Sequence, residues 1–360
     1  MAEAIQQIHP ACKITFVGTP RGLESQLIPA EGFALKLISM VPLSSGNRIA
    51  LPFALVRSFL QARRFLKDSG VDVVLGMGGY PSVPAVLAAR SLSLPLVIHE
   101  SGAVLGRANL LAARFTSHVA LAFQHTEGRF PKGSEPRVVG MPLREQITSI
   151  DRVALRDEAR RQFGFTDRCT VLLVMGGSQG ASSLNAVAIE LGRRWGAGGD
   201  TKILLKTGQK HLDTVREQVE EARASDAVSC VGFIERMDLA YAAADVALSR
   251  AGAGTVAELS VLGLPAVLVP YPHAPRDHQA LNARELLDAG GAWMVRDHEL
   301  TADVVAPLIE QLSKDPSQLR AMSSAAASVG RPGAARQTAE WVLSLAGTKG
   351  SQERSAGTSS

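Results

Sequence analysis

The chain has 360 residues, 46% of them hydrophobic and 20% charged, enough for roughly two domains that each bury a core. Its formal charge is only +4, and its three cysteines, Cys12, Cys169 and Cys230, lie far apart with no C-x-x-C spacing. Neither a zinc site nor a disulfide framework is indicated, which favours a reducing compartment. No apolar run reaches the length of a membrane span, and the start does not read as a signal peptide.

Residues 1 to 10 read as a helix, and the first strand is KITFVG, Lys13 to Gly18. Parallel α/β domains normally open on a strand. The helix-first start therefore predicts that a strand and its loop are absent here; the alternative is a domain that begins with a helix. A helix near Leu23 to Pro29 and a strand from Phe33 to Ile38 follow. The helix from Leu51 to Lys67 places Leu55, Phe59 and Leu66 on one face, with Arg57 and Arg64 beside Phe53 and Leu60. Arg48, Arg63 and Lys67 add to a local charge of +4 between Asn47 and Gly70, where Asp68 is the lone acid. A patch for an anionic surface and an ordinary solvated face both fit.

Strands then read at 71–77, 95–100, HVALAF and 137–140, with helices at 81–90 and near Leu105 to Ala113. Residues 145 to 169 are charged and helical with little core character, a bridge between domains. The alternation resumes with strands at 171–176, 202–206, 229–233, 245–249, 265–270 and 292–296. Helices at Ala302 to Lys314 and Ser317 to Val329 precede a last amphipathic helix. The organisation expected is a first domain over 1–145, a second over 146–334, a helix over 335–346 returning to the first, and a disordered Gly/Ser-rich tail over 347–360.

The second domain is organised around VLLVMGGSQGASSLN, residues 171 to 185. Its apolar run reads as a strand buried on both faces. Gly176 to Gly180 then allow a tight turn with backbone N–H groups exposed at the start of a helix, a place for a diphosphate or for nothing at all. A loop of similar build stands upstream at Gly76-Met77-Gly78-Gly79-Tyr80. Other polar and small-residue segments fall at strand C-termini, where open α/β sheets bind ligands: Thr207 to Gln209, Phe233 to Glu235, Arg250 to Thr255 and Tyr271 to His273. Together they suit a nucleotide.

Thr255-Val256-Ala257-Glu258 admits two readings: a capping box, or a carboxylate that accepts two ribose hydroxyls. Asp277 either caps the helix of DHQALNA or leaves that segment to orient a sugar. His99 reads as a buried, satisfied histidine, and Glu100 ends the same strand toward an expected interdomain cleft. No H-E-x-x-H, Walker A or G-x-S-x-G pattern occurs, so metal-dependent hydrolysis and acyl transfer have no support. No G-x-G-x-x-G with a following acid supports a dinucleotide oxidoreductase.

GMGGYPSVP, HESGAVLGRAN, VVGMPLR, MGGSQGASSLN, FIERM…YAAAD, SRAGAGTVAELSVLGLPAVLVPYP and DHQALNA, in this order, resemble the MurG family over nearly the whole chain. The resemblance implies an α/β protein of glycosyltransferase-B architecture, two Rossmann-like domains facing a cleft, the N-terminal one incomplete. It implies inverting, metal-independent and cofactor-free transfer of N-acetylglucosamine (GlcNAc) from UDP-GlcNAc to the undecaprenyl-linked lipid I, making lipid II in peptidoglycan synthesis. The partners are those two substrates and an anionic membrane, not nucleic acid; the enzyme would be peripheral, on the cytoplasmic face of the cell membrane.

By position, the resemblance places Arg144, Ser178 and Gln179 near the donor diphosphate and the Ile234 backbone on uracil. Ala253, Gly254, Thr255, Val256 and Ala257 lie beside the nucleotide, Glu258 on the ribose, and His278 and Gln279 toward the sugar. Gly76, Gly78, Gly79 and Tyr80 match the acceptor-side diphosphate loop. Phe53, Arg57, Leu60, Arg63, Arg64 and Lys67 match the membrane-touching region. Two departures stand out. The family's opening strand and G-G-T-G-G-H loop, with its proposed base histidine, have no counterpart in this sequence, which leaves Glu100 as the candidate base. Where many members carry H-E-Q-N, this chain has His99-Glu100-Ser101-Gly102. A donor-binding module completed by a separate segment, and a related transferase acting on another lipid, are the alternatives.

Overall fold

The computed structural model describes residues 1–20, 22–40, 50–177, 180–196 and 198–356. Contacts divide the chain into two units, Met1–Pro142 with Gly333–Ser360, and Leu143–Pro332. The first unit runs α1 (Ala2–Ile8), β1 (Thr15–Gly18), α2 (Glu24–Ala30), β2 (Ala34–Leu37) and α3 (Ala50–Asp68). It continues with β3 (Val74–Gly76), α4 (Val83–Ser91), β4 (Leu96–Glu100), α5 (Arg107–Ala112), β5 (His118–Leu121) and β6 (Glu135–Val138). All pairings are parallel: β1 with β2, and β3-β4-β5-β6 as a second sheet. Both feed one core, in which Val17 of β1 packs with Ile38, Leu66, Val86, Ile98 and Val119.

Strand β3 is shorter than the alternation of VDVVLGM predicts, because the preceding residues close α3. Gly70 turns left-handed at φ 59°, and the Val71 N–H returns to Leu66 O at 3.2 Å. β4 is buried at all five positions, as a strand covered on both faces must be.

The second unit contains α6 (Glu145–Thr148), α7 (Arg152–Phe163), β7 (Thr170–Met175), α8 (Ser182–Trp195), β8 (Thr201–Lys206) and α9 (Leu212–Glu221). Then come β9 (Val228–Val231), α10 (Met237–Ala243), β10 (Val246–Ser249), α11 (Ala253–Leu262) and β11 (Ala266–Leu268). It ends with α12 (His278–Asp288), β12 (Ala292–Met294), α13 (Ala302–Lys314) and α14 (Pro316–Ser328). The sheet is parallel throughout in the order β12-β11-β10-β7-β8-β9. Connections run outward from β7 to β9, then return to β10 and run the other way. The order therefore reverses between β7 and β10, and ligands of such sheets bind at the carboxyl ends flanking that point.

The charged stretch expected to bridge domains is instead packed into this unit. Ala159 of α7 joins Leu239, Ala242 and Ala243 of α10 in a buried cluster. The arginines reach inward: Arg156 and Arg160 both meet Asp245 at 2.6 Å, and Arg152 donates to the Tyr241, Ala244, Leu262 and Gly263 carbonyls. Burial pushes Arg152 down to about 10, so it stays cationic at neutral pH. A charge count alone hid this, because paired guanidinium groups pack where unpaired ones do not.

The last helix, α15 (Ala334–Ala356), belongs to the first unit. Trp341 lies edge-on to His118 with centroids 5.7 Å apart, under the Arg137 guanidinium at 4.7 Å. α15 runs ten residues beyond the expected helix end, through part of the stretch expected to be disordered; residues 357 to 360 lie outside the described residues. Among the described residues no helix is long and apolar enough to cross a membrane.

Candidate active site

The loop after β7 is shaped by what glycine permits. The chain turns at Gly177 (φ 84°) and Gly180 (φ 75°). A Cβ on Gly180 would stand 2.2 Å from Thr207 O, and one on Gly176 would stand 2.3 Å from Ala181 N. The loop is thus pressed onto the end of β8, where only glycine fits. The N-cap of α8, Ala181, offers no side-chain acceptor to the helix's first amides, which suits an anion there. Ser178 and Gln179 lie outside the described residues.

On the other side of the reversal point, α11 carries Glu258. The capping-box reading fails: the N-cap is Gly252, so Thr255 sits within the first turn and Glu258 beyond it. Glu258 Oε2 instead accepts from the buried Tyr241 hydroxyl at 2.5 Å. Burial raises the Glu258 pKa, against the Tyr241 hydrogen bond and the attraction of Lys206 and Arg144. Burial likewise lowers Lys206, which Glu258 partly restores, and holds Tyr241 well above the ordinary phenol range. Arg144, ahead of α6, comes near because α6 packs on α11.

Arg250, just past β10, ties the neighbouring loops together. It pairs with Asp297 at 2.5 Å, donates to Ser183 Oγ at 2.9 Å in the first turn of α8, and reaches the Val269 and Pro270 carbonyls. Ser183 donates to the same Asp297 oxygen at 2.8 Å.

Between β11 and α12, Arg276 and Asp277 both take left-handed backbone, φ 57° and 50°. Asp277 does not cap α12; its carboxylate pairs with Arg296 at 2.7 Å. Gln279 Oε1 accepts from the Tyr271 N–H at 2.9 Å, and His278 Nδ1 lies 3.0 Å from Pro275 O. Asn282 donates to Ala251 O at 3.1 Å, linking the start of α12 to that of α11. Ile234 is buried beyond β9, beside Phe233, whose ring is 67% exposed. Ala253, Gly254 and Thr255 form the first turn of α11, followed by Val256, which is buried, and Ala257.

The structure thus brings together Glu258, Arg144 and two residues that sequence reading missed, Tyr241 and Lys206. His278 and Gln279 lie on the β11 side, with the Arg250 cluster near them; Arg250 is 5.8 Å from the Tyr271 ring. Tyr241 opens the YAAAD segment, but standing in an apolar helix it gave no sign of a role for its hydroxyl. Lys206 ends an apolar strand, and that position was its only signal.

In the first unit, Gly76 ends β3, and Gly78 and Gly79 turn left-handed (φ 81° and 75°) ahead of Tyr80. Asn109 closes over them: its Nδ2 stands 3.0 Å from where a Gly78 Cβ would lie. Burial raises the Tyr80 pKa. Glu100 accepts from Gly102 N at 3.1 Å, Gly106 N at 2.8 Å and Asn109 Nδ2 at 3.0 Å, so it organises its own loop. His99 is fully buried, 2.9 Å from Gly140 O and 3.4 Å from Ser101 Oγ, and burial lowers its pKa. Among the described residues no group of three His, Cys, Asp or Glu is placed to hold a metal ion.

Comparison with known proteins agrees. The glycosyltransferase family 28 N-terminal domain matches residues 1–121 and the family 28 C-terminal domain residues 171–338. A UDP-N-acetylglucosamine–N-acetylmuramyl-(pentapeptide) pyrophosphoryl-undecaprenol N-acetylglucosamine transferase of Mycolicibacterium vanbaalenii is 44% identical over 354 residues, 96% of this chain and 86% of the relative. One of the same description from Mycobacterium ulcerans is 42% identical, covering 99% and 90%. The crystal structure of MurG from Acinetobacter baumannii superposes with a TM-score of 0.78 at 29% identity, covering 95% of each chain. This chain therefore belongs to glycosyltransferase family 28 and, within it, to the MurG family.

Proposed function

We propose that the chain moves GlcNAc from UDP-GlcNAc to lipid I, with inversion, to give lipid II. The observation that carries this reading is the likeness, at 44% identity over 96% of the chain, to a relative named for that transfer. The donor-side geometry supports it. The diphosphate would rest at the start of α8, beyond the turn at Gly177 and Gly180, with the Arg144 cation near it; the family resemblance adds Ser178 and Gln179. The Ile234 backbone would take uracil, Ala253 to Ala257 would lie along the nucleotide, and Glu258 would accept from the ribose. His278 and Gln279 would address the sugar once Gln279 exchanges its Tyr271 partner for a ligand.

In the transfer the acceptor hydroxyl oxygen bonds to the anomeric carbon as the bond to the UDP oxygen breaks, and the hydroxyl proton passes to solvent. The departing electron pair ends on the diphosphate, where the positive end of α8 would stabilise it. Gly76, Gly78, Gly79 and Tyr80 would hold the acceptor's own diphosphate. The three donors on Glu100 favour a loop-organising role for it over that of proton acceptor.

For membrane contact we propose the outer face of α3, on the cytoplasmic side. Phe53, Val56 and Leu60 are 77%, 57% and 56% exposed there, with Arg57, Arg64 and Lys67 exposed among them. Arg63 is half-buried and donates to Ser91, which sets it apart from that face.

Purified protein given UDP-GlcNAc and a short-chain lipid I analogue should release UDP only when both are present. Absence of UDP binding by calorimetry, or transfer to a diacylglycerol acceptor in preference, would refute the assignment.

A further inference from the structure

We infer that Tyr241 is a positioning residue for donor recognition: its hydroxyl holds one oxygen of Glu258 so that the other faces the donor's ribose. The inference rests on the ribose role proposed for Glu258.

Tyr241 is 1% exposed, and Leu239, Ala240, Ala242 and Ala243 beside it on α10 are no more than 2% exposed. Packing accounts for the ring but not for a hydroxyl. That hydroxyl stands 2.5 Å from Glu258 Oε2 and 3.8 Å from Met175 Sδ. It has one proton, and a carboxylate is a far better acceptor than a thioether, so the proton goes to Glu258. With Oε2 engaged, the carboxylate is fixed in rotation, and among the described residues Oε1 accepts no hydrogen bond. The other charged groups facing Glu258 are Lys206 at the end of β8 and Arg144 ahead of α6, which attract it without a hydrogen bond. Met175 is the last residue of β7. One buried ring therefore touches both the strand that ends in the diphosphate loop and the carboxylate of α11.

Tyr241→Phe keeps the ring and removes the hydrogen bond. Calorimetric affinities for UDP-GlcNAc and its 2′-deoxyuridine analogue, measured across pH, test it. UDP-GlcNAc affinity should fall about tenfold, and the preference for the ribonucleotide should shrink. The acid limb of the affinity should also move to higher pH. The ionised carboxylate is the better acceptor, so binding is lost as pH falls through its pKa, which rises when a bond favouring the ionised form is deleted. Equal losses for both nucleotides with an unmoved acid limb would mean that Tyr241 only packs, and would overturn the inference. Glu258→Ala separates the two claims. If it leaves UDP-GlcNAc affinity intact, the ribose role fails. If it erases the ribose preference while Tyr241→Phe keeps it in full, the Tyr241 inference alone fails. Should Tyr241→Phe not fold, 3-fluorotyrosine in place of Tyr241, nearly isosteric and a stronger donor, should move the acid limb to lower pH; no movement overturns the inference.

Discussion

Gly180 shows how little freedom the loop after β7 has. With a left-handed φ of 75° and a carbonyl oxygen 2.2 Å from any Cβ, Gly180→Ala must shift the loop or the end of β8. We expect a loss of about 1–3 kcal/mol in urea unfolding from backbone strain and crowding, with UDP binding weakened more than tenfold. Glu258→Gln keeps shape but replaces the anionic acceptor. It should raise the KM for UDP-GlcNAc roughly tenfold while kcat at saturating donor changes little, the signature of lost uniform binding. Both positions stand out in the sequence: Gly180 lies in a glycine run after an apolar strand, and Glu258 in the helix that the Arg250 to Thr255 segment leads into. What Tyr241, Lys206 and Arg250 hold in place was not legible there. Their partners lie 17, 52 and 47 residues away in Glu258, Glu258 and Asp297, and only the fold brings such separations within electrostatic reach.

At the scale of elements, α3 and α7 show opposite uses of basic residues. On α3 the inward row is Ser58, Ala62 and Leu66, which leaves Phe53, Arg57, Leu60, Arg64 and Lys67 outward. Removing Arg57 and Arg64 together should weaken partition onto anionic vesicles by about 1 kcal/mol per cation, and high salt should abolish the difference. Phe53→Ser with Leu60→Ser should weaken partition at every salt concentration, read by vesicle sedimentation. On α7 the guanidinium groups converge on Asp245, which also accepts from Val171 N at 2.7 Å. Asp245→Ala leaves buried cations unpaired and should cost about 3–5 kcal/mol in denaturant unfolding. The periodicity that revealed these helices could not tell the two cases apart. Both read as charged helices, and the difference lies in what each packs against.

For the whole molecule, the six strands of the second unit were readable from their apolar runs, and so was the parallel alternation. The sheet order was not, since sequence shows consecutive units and not the side on which each is added. The reversal between β7 and β10 is what gathers loops from both halves of the unit at one edge. The 190 residues from Leu143 to Pro332 hold a continuous core of their own. Expressed alone, that fragment should unfold cooperatively in urea and retain UDP affinity within a few-fold. Residues 1 to 142 alone should not fold cooperatively, because α15 supplies Trp341 against His118 and Arg137 and packs on α1. The same arrangement sets an order of events on the ribosome. Although synthesis delivers the amino-terminal residues first, at roughly 5–20 residues per second, their domain must wait for α15, translated after the whole second unit. The second unit can therefore mature while the first is still an unfinished nascent chain, which exposes the first to chaperones for longer.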